Sequence, residues 1–115
     1  MADSKIHVAP KRTFSILVAF MASKENEVVV MDEKYNRLWS TNSEKDDART
    51  WSELNNTSAT KTYVIRGLYL DPENPKAGFV ESRVHESYGG ENSLIIGYEE
   101  DRDDDFNDAV ASVGF

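Results

Sequence analysis

The residues in this sequence whose types and spacing could do chemistry lie in the stretch EEDRDDDFND, residues 99–108. Seven of these ten residues are acidic and one is basic. Carboxylates held within a few ångströms raise each other's pKa or push the segment apart, and an acidic tail avoids this by staying extended in water. Here the apolar stretches SLIIGY and AVASVGF bracket the run. Both of its ends are therefore expected to be anchored in core strands.

A hard divalent cation would resolve this crowding of charge, because Ca²⁺ takes about six to eight oxygen ligands. The convergence of many carboxylates favours Ca²⁺ over Mg²⁺. Asp101, Asp103 and Asp105 match the opening of an EF-hand loop. That loop then needs a Gly and a final Glu, and the sequence has Phe106 and Ser112 there. The segment therefore predicts a calcium site that is not an EF-hand.

The remainder of the chain is nearly neutral, since most of the formal charge of −8 comes from the acidic run. This distribution argues against nucleic acid or an anionic membrane as a partner. No apolar stretch reaches the roughly 18 residues of a transmembrane helix, so no membrane insertion is expected. The first residues, MADSKIHVAPKR, do not resemble a secretory signal, which predicts a cytoplasmic or unconventionally exported protein. Cysteine is absent, which excludes disulfides and cysteine nucleophiles.

Short apolar stretches between turn residues predict an all-β fold, an antiparallel β-sandwich of about nine short strands in one domain over residues 1–115. The alternative is a mixed α+β domain. The N-terminal residues are expected to form an arm or an edge strand, and the polar middle to hold loops around one brief strand or a short helical turn. The remaining segments predicted as strands are TFSILVAF, EVVVMD, RLWST, TKTYVIRGLYL, FVESRVHESY, SLIIGY and AVASVGF.

The segment GYEEDRDDDFNDAV resembles the C-terminal motif of the bacterial calcium-mediated fucose/mannose-binding lectins, G-x-E-D-x-x-D-x-D-[FY]-N-D-A-V. PKRTFSILVAF is similar to the opening strand of that family, P-x-x-x-x-F-x-x-x-A-F, and the chain lengths are nearly equal. The matching residues are Gly97, Glu99, Asp103, Asp105, Phe106, Asn107, Asp108, Ala109 and Val110. The resemblance implies a non-enzymatic carbohydrate-binding β-sandwich.

In that family two adjacent calcium ions lie in one carboxylate cluster, and vicinal sugar hydroxyls coordinate the metals directly. The metal ligands implied at matching positions are Glu99, Asp103, Asp105, Asn107 and Asp108. The extra acids that could add ligands are Glu100, Asp101 and Asp104. The resemblance implies one calcium ion, with room in the motif for two.

The resemblance also implies contacts to a fucose- or mannose-type glycan, made by Ala22, Ser23, Lys24, Asp103, Asp105 and Asp108. Ala22 stands where the family has an asparagine ligand of the second calcium. The family also uses the terminal carboxylate of a neighbouring subunit, reached by a tail longer than one ending at Phe115. A homo-oligomer, most simply a dimer, is expected because repeated weak sites gain avidity.

Other functions fit the sequence less well. A glycosidase needs two separate carboxyl groups flanking a cleft, which a packed acidic run does not provide. His7 and His85 are the only histidines, and no Ser-His-Asp arrangement can be supported from them. Trp51 is the aromatic residue with the most loop-like surroundings, although core packing is the commoner role. The alternative function is a calcium-stabilised sandwich that serves as a protein-interaction module and binds no sugar.

Overall fold

The computed structural model describes residues 3–21, 24–99 and 108–115. Within these ranges the chain forms ten strands and one short 3-10 helix, Pro75–Ala77. The strands are β1 (Asp3–Val8), β2 (Thr13–Phe20), β3 (Glu25–Asp32), β4 (Arg37–Asn42), β5 (Thr50–Leu54), β6 (Lys61–Leu70), β7 (Phe79–Glu81), β8 (Arg83–Gly90), β9 (Ser93–Glu99) and β10 (Ala109–Gly114). Among the residues described, no helix has the length and apolar character needed to span a bilayer.

The strands form two antiparallel sheets that enclose one core, as the sequence predicts. Sheet A has the order β1-β6-β3-β4. In this sheet β7 also pairs with β6, beyond the residues that β1 covers. Sheet B has the order β5-β2-β10-β9-β8. The predicted N-terminal edge strand is β1, and the brief strand expected in the polar middle is β5.

Alternation along the strands decides which side chains reach the core. In β2, Phe14, Ile16 and Val18 are buried between the sheets, whereas Leu17 is exposed on the outer face. In β9 the same pattern points Tyr98 inward. The main core cluster draws on both sheets and is made of Ile6, Val8, Phe14, Ile16, Val18, Val28, Val30, Tyr63, Ile65, Leu94, Ile96, Tyr98, Ala109, Ala111 and Val113.

The ring of Tyr98 crosses the core and lies against the backbone of Gly67 in β6. A Cβ atom at residue 67 would lie only 2.3 Å from Cδ1 of Tyr98. This close approach of the two sheets therefore requires glycine at position 67. It anchors the end of β9, where the acidic run begins.

Residues 79–88 differ from the sequence-based expectation of one strand. β7 pairs with β6 in sheet A, whereas β8 pairs with β9 in sheet B. Ser82 is the single residue between them, and its N–H donates to the carbonyl of Gly67 at 2.9 Å. The prediction of one strand was wrong, because the chain changes sheets within a single residue that is neither Gly nor Pro. This division gives ten strands in the described residues instead of about nine.

Candidate metal and carbohydrate site

Two of the predicted metal ligands, Glu99 and Asp108, lie in the described chain at the ends of neighbouring strands. Glu99 is the last residue of β9, and Asp108 immediately precedes β10. The strands pair with Ala109 opposite Tyr98, and the N–H of Asp108 donates to the carbonyl of Tyr98 at 3.1 Å. Both ends of the acidic run are thus anchored at one end of sheet B.

The carboxylate of Glu99 is buried, with only 1% of the residue exposed. Its neighbour Tyr98 points into the core, so alternation directs Glu99 to the outer face of sheet B. Withdrawing an ionised carboxylate from water costs on the order of several kcal/mol. This cost is offset only when a cation, a metal ion or hydrogen-bond donors compensate the charge. The burial of Glu99 therefore requires that the residues or ions around it compensate its carboxylate.

Met21 continues the site on the other side of Asp108. The N–H of Met21 donates to the carbonyl of Asp108 at 2.9 Å, so the β2–β10 pairing extends past the strand ends. Lys24 follows shortly after, and its Nζ lies 5.7 Å from the ring centroid of Tyr69. Its carbonyl accepts a hydrogen bond from Nδ2 of Asn26 at 3.0 Å. The segment MASKE, residues 21–25 and hereafter the MASKE loop, therefore begins beside the end of the acidic run.

Arg83 is the cross-strand partner of Glu99 in the β8–β9 pair. Residues directly opposite one another in antiparallel strands have Cβ atoms about 4.5–5.5 Å apart and point to the same face. An exposed cation thus lies next to a buried carboxylate. Sequence reasoning missed Arg83, because its position opposite Glu99 depends on the start and register of β8, which composition did not reveal.

The hydroxyl of Tyr98 is buried on the opposite side of β9 from Glu99. Burial raises the pKa of this hydroxyl, and the nearby carboxylates Glu86 and Asp3 raise it further. Tyr98 is therefore neutral at ordinary pH. Within the described residues its oxygen has no hydrogen-bond partner, and its inward direction excludes it as a ligand of a metal held at Glu99.

The other predicted site residues fall outside the described ranges, namely Ala22, Ser23, Glu100, Asp101, Asp103, Asp104, Asp105 and Asn107. In the part of the chain that the structure describes, no group of three or more His, Asp or Glu side chains could hold a metal ion. Glu99 and Asp108 supply two carboxylates of the hard, anionic kind that calcium prefers. Their chemistry fits calcium, and a complete coordination shell would need donors from the segment between them.

The tryptophans pack inside the sandwich. The rings of Trp39 and Trp51 stack with centroids 6.4 Å apart, and Trp51 meets Phe14 edge-on at 5.9 Å. Both tryptophans lie against the main core. The loop-like surroundings expected for Trp51 were wrong, because β5 is an edge strand whose inward positions reach the core. Tyr88 is an exposed aromatic on β8.

No protein-family model and no curated protein matches this chain. Among the solved structures that match the chain, three that cover almost its whole length are bacterial lectins. The Chromobacterium violaceum lectin CV2L, in complex with α-methyl-fucoside, has 13% identity and a TM-score of 0.71, covering 96% of this chain and 94% of its own. The Ralstonia solanacearum high-affinity mannose-binding lectin has 15% identity and a TM-score of 0.69, with the same coverage. The C-terminal domain of the BC2L-C lectin from Burkholderia cenocepacia has 14% identity and a TM-score of 0.66, covering 98% and 95%.

At these identities the likeness establishes the fold. All three neighbours are described as lectins. The chain thus has the β-sandwich fold found in these bacterial lectins.

Proposed function

We propose that this chain is a calcium-dependent carbohydrate-binding protein without enzymatic activity. The observation that carries the proposal is the buried carboxylate of Glu99, placed beside Asp108 at the two anchored ends of an acidic run. The shared fold supports it, because two of the structural neighbours are described with α-methyl-fucoside and as mannose-binding. The proposed ligands are fucose- or mannose-type glycans.

In this proposal the strands hold the two outer ligands, Glu99 and Asp108, and the segment between them supplies the rest. The proposed inner ligands are Asp103, Asp105 and Asn107, and the acids available to a second ion are Glu100, Asp101 and Asp104. A bound calcium would offer open coordination positions to the oxygens of vicinal hydroxyls. The carboxylates of the chain would neutralise the metal and orient it.

The MASKE loop would contact the bound sugar through Ala22, Ser23 and Lys24. Support for this comes from the backbone bond between Met21 and Asp108, which begins the loop at the acidic run. The contact of Lys24 with the ring of Tyr69 would restrict the motion of the loop at its other end. The loop would therefore act as a wall of the sugar site.

Thermal unfolding tests the metal and the sugar separately. A ligand present at 100 times its Kd stabilises a protein by about 2.7 kcal/mol, or roughly 8–15 °C for a domain of this size. Calcium should raise the unfolding midpoint over EDTA by that order. Methyl fucoside or methyl mannoside should raise it further only when calcium is present. An unfolding midpoint that does not change with calcium would contradict the metal site. A midpoint that rises with calcium but not with sugar would favour the protein-interaction alternative.

Asp108→Asn is the sharpest variant, since it removes a charge and keeps the shape. The calcium-dependent shift and the signal on a glycan array should both be lost, while circular dichroism in EDTA stays unchanged. Glu33→Gln is the matched control, because Glu33 is exposed in the turn between β3 and β4. Glycan binding retained by Asp108→Asn would refute the ligand assignment.

We also propose that the chain forms a homo-oligomer through the outer face of sheet B. The part of this face on β2, β5, β10 and the first five residues of β9 has no charged side chain. This neutral face is defined as Thr13, Ser15, Leu17, Ala19, Thr50, Ser52, Leu54, Ser93, Ile95, Gly97, Val110, Ser112 and Gly114. Three of its large apolar residues are exposed, Leu17 at 54%, Leu54 at 53% and Ile95 at 42%. A chain with a formal charge of −8 could approach a second copy here without bringing like charges together.

A further inference from the structure

We infer that Arg83 is a built-in counter-ion of the calcium site, which compensates the Glu99 carboxylate in the metal-free chain and lowers the affinity for calcium. This inference rests on the proposed function. It concerns a residue that belongs to none of the predicted ligand or sugar-contact sets.

The placement of Arg83 follows from the register of sheet B. Arg83 and Glu99 are direct cross-strand partners, and the inward-pointing Val84 and Tyr98 form the next pair. Both charged side chains therefore lie on the outer face, at the end where Asp108 precedes β10. In the next row of this face, His85 lies opposite Gly97, and the neutral face follows on β9, β10 and β2. The acidic and basic residues that the described part of this outer face carries, Arg83 and Glu99, therefore lie together at this end.

Other cations near this end have different neighbours. Nζ of Lys24 lies over the ring of Tyr69. The guanidinium of Arg49 lies 4.9 Å from the ring centroid of Phe20 and donates to Oγ1 of Thr41 at 2.8 Å. Arg83 is the cation that the strand register places beside Glu99 among the residues described.

Because Glu99 is buried, a cation in the position opposite it has a larger effect than a cation in an ordinary surface ion pair. Exposed pairs contribute little, because water already solvates both groups. A buried carboxylate, in contrast, is destabilising when its positive neighbour is removed. In the absence of metal, Arg83 should therefore stabilise the fold by compensating Glu99.

A calcium ion held at Glu99 reverses the effect of the same charge. The guanidinium would then lie near a dication, and like charges repel. Arg83 should weaken calcium binding while it stabilises the metal-free chain. These two effects have opposite signs, which a purely structural role of Arg83 would not produce.

The test compares Arg83→Gln with the wild-type chain in two measurements. The unfolding midpoint in EDTA should fall by roughly 3–6 °C. The calcium Kd from isothermal titration calorimetry should tighten about three- to tenfold at low ionic strength, with a smaller gain at high salt. Arg83→Lys keeps the charge and should leave both quantities near the wild-type values.

Arg37→Gln is the matched control for the change in net charge. Arg37 is largely exposed and pairs with Glu27 at 3.1 Å on sheet A, far along the chain from the acidic run. Its calcium Kd should stay near wild type. A calcium Kd in Arg83→Gln that equals the Arg37→Gln value, or is weaker, overturns the role of Arg83. A wild-type chain that binds no calcium at all overturns the proposed function, and this inference with it.

Discussion

Apolar residues on the outer faces of the two sheets differ in their exposure to solvent. On sheet A, Val29, Met31 and Val64 point away from the main core and yet are buried in a cluster of their own. On sheet B, Leu17 and Ile95 hold comparable outward positions and remain about half exposed. The first face is covered by side chains of its own sheet, whereas among residues 3–21, 24–99 and 108–115 the second has no comparable buried cluster.

A charged residue of sheet A, Arg66, lies directly opposite Val29 and therefore on the same outer face. On sheet A, Arg66 donates two hydrogen bonds to Asp3 at 2.7 and 2.9 Å and pairs with Glu81 at 3.2 Å. These contacts, the bonds to Asp3 foremost, raise the pKa of Arg66 further. The long aliphatic stems of such residues can cover apolar surface while the charged groups meet at the rim. On the outer face of sheet B, the charged residues Arg83 and Glu99 lie at the end that carries the candidate site, which leaves the neutral face available to a second copy.

Gly67→Ala should have the largest effect, because it acts on the core beneath both faces. The added Cβ would lie 2.3–2.7 Å from three ring atoms of Tyr98, so the sheets or the ring must shift. We expect a loss of about 3 kcal/mol in unfolding free energy from such overpacking, measured by urea denaturation. Gly78→Ala is the contrast, since residue 78 has a positive φ of 66° but open space around it. It should cost about 1 kcal/mol, and equal losses for the two variants would contradict the close packing at Gly67.

Arg66→Met should come next and act on the covered face alone. The substitution keeps an apolar stem but leaves the carboxylate of Asp3, whose side chain is only 4% exposed, without its cation. A loss of about 2–3 kcal/mol is expected. Arg37→Gln removes a much more exposed pair and should cost no more than about 0.5 kcal/mol. If the two variants unfold at the same urea concentration, ion pairing is not what stabilises this face.

Leu17→Lys should have the smallest effect on the stability of a single chain, within about 0.5 kcal/mol, because Leu17 is exposed. It should nevertheless abolish self-association by placing a desolvated charge in the contact. Sedimentation equilibrium would show a monomer for the variant and a concentration-dependent oligomer for the wild type. Tyr88→Lys, at another exposed position, should leave the oligomer intact. If Leu17→Lys forms the same oligomer as the wild type, the neutral face of sheet B is not the contact between copies.

Local composition predicted the strands, but it did not predict which of their outward apolar side chains are buried by other residues. TFSILVAF was predicted to be a strand, and β2 has the same bounds, Thr13–Phe20. Its apolar composition does not reveal that Leu17 is exposed. Whether an outward leucine is covered depends on residues such as Arg66, which come from distant parts of the chain. The division of residues 79–88 was missed for a similar reason, since pairing with β6 or β9 is a long-range property.

The candidate site was predictable where it depended on neighbouring strands. Apolar segments on both sides of the acidic run indicated that its ends would be anchored, and Glu99 and Asp108 lie beside each other in paired strands. Their role as calcium ligands stays a prediction, as do those of Asp103 and Asp105. Arg83 could not be found from the sequence, because only the register of β8 against β9 brings it opposite Glu99.

The pairing of Phe20 with Ala109 joins a strand from the beginning of the chain to one from its end. Most of the polypeptide must be synthesised and arranged before that contact can close, and contacts so distant in sequence form slowly. The backbone bond from Met21 to Asp108 lies directly beyond this pair. A metal ion at this place would therefore bind only after the topology is complete. It would lower the unfolding rate and leave the folding rate unchanged.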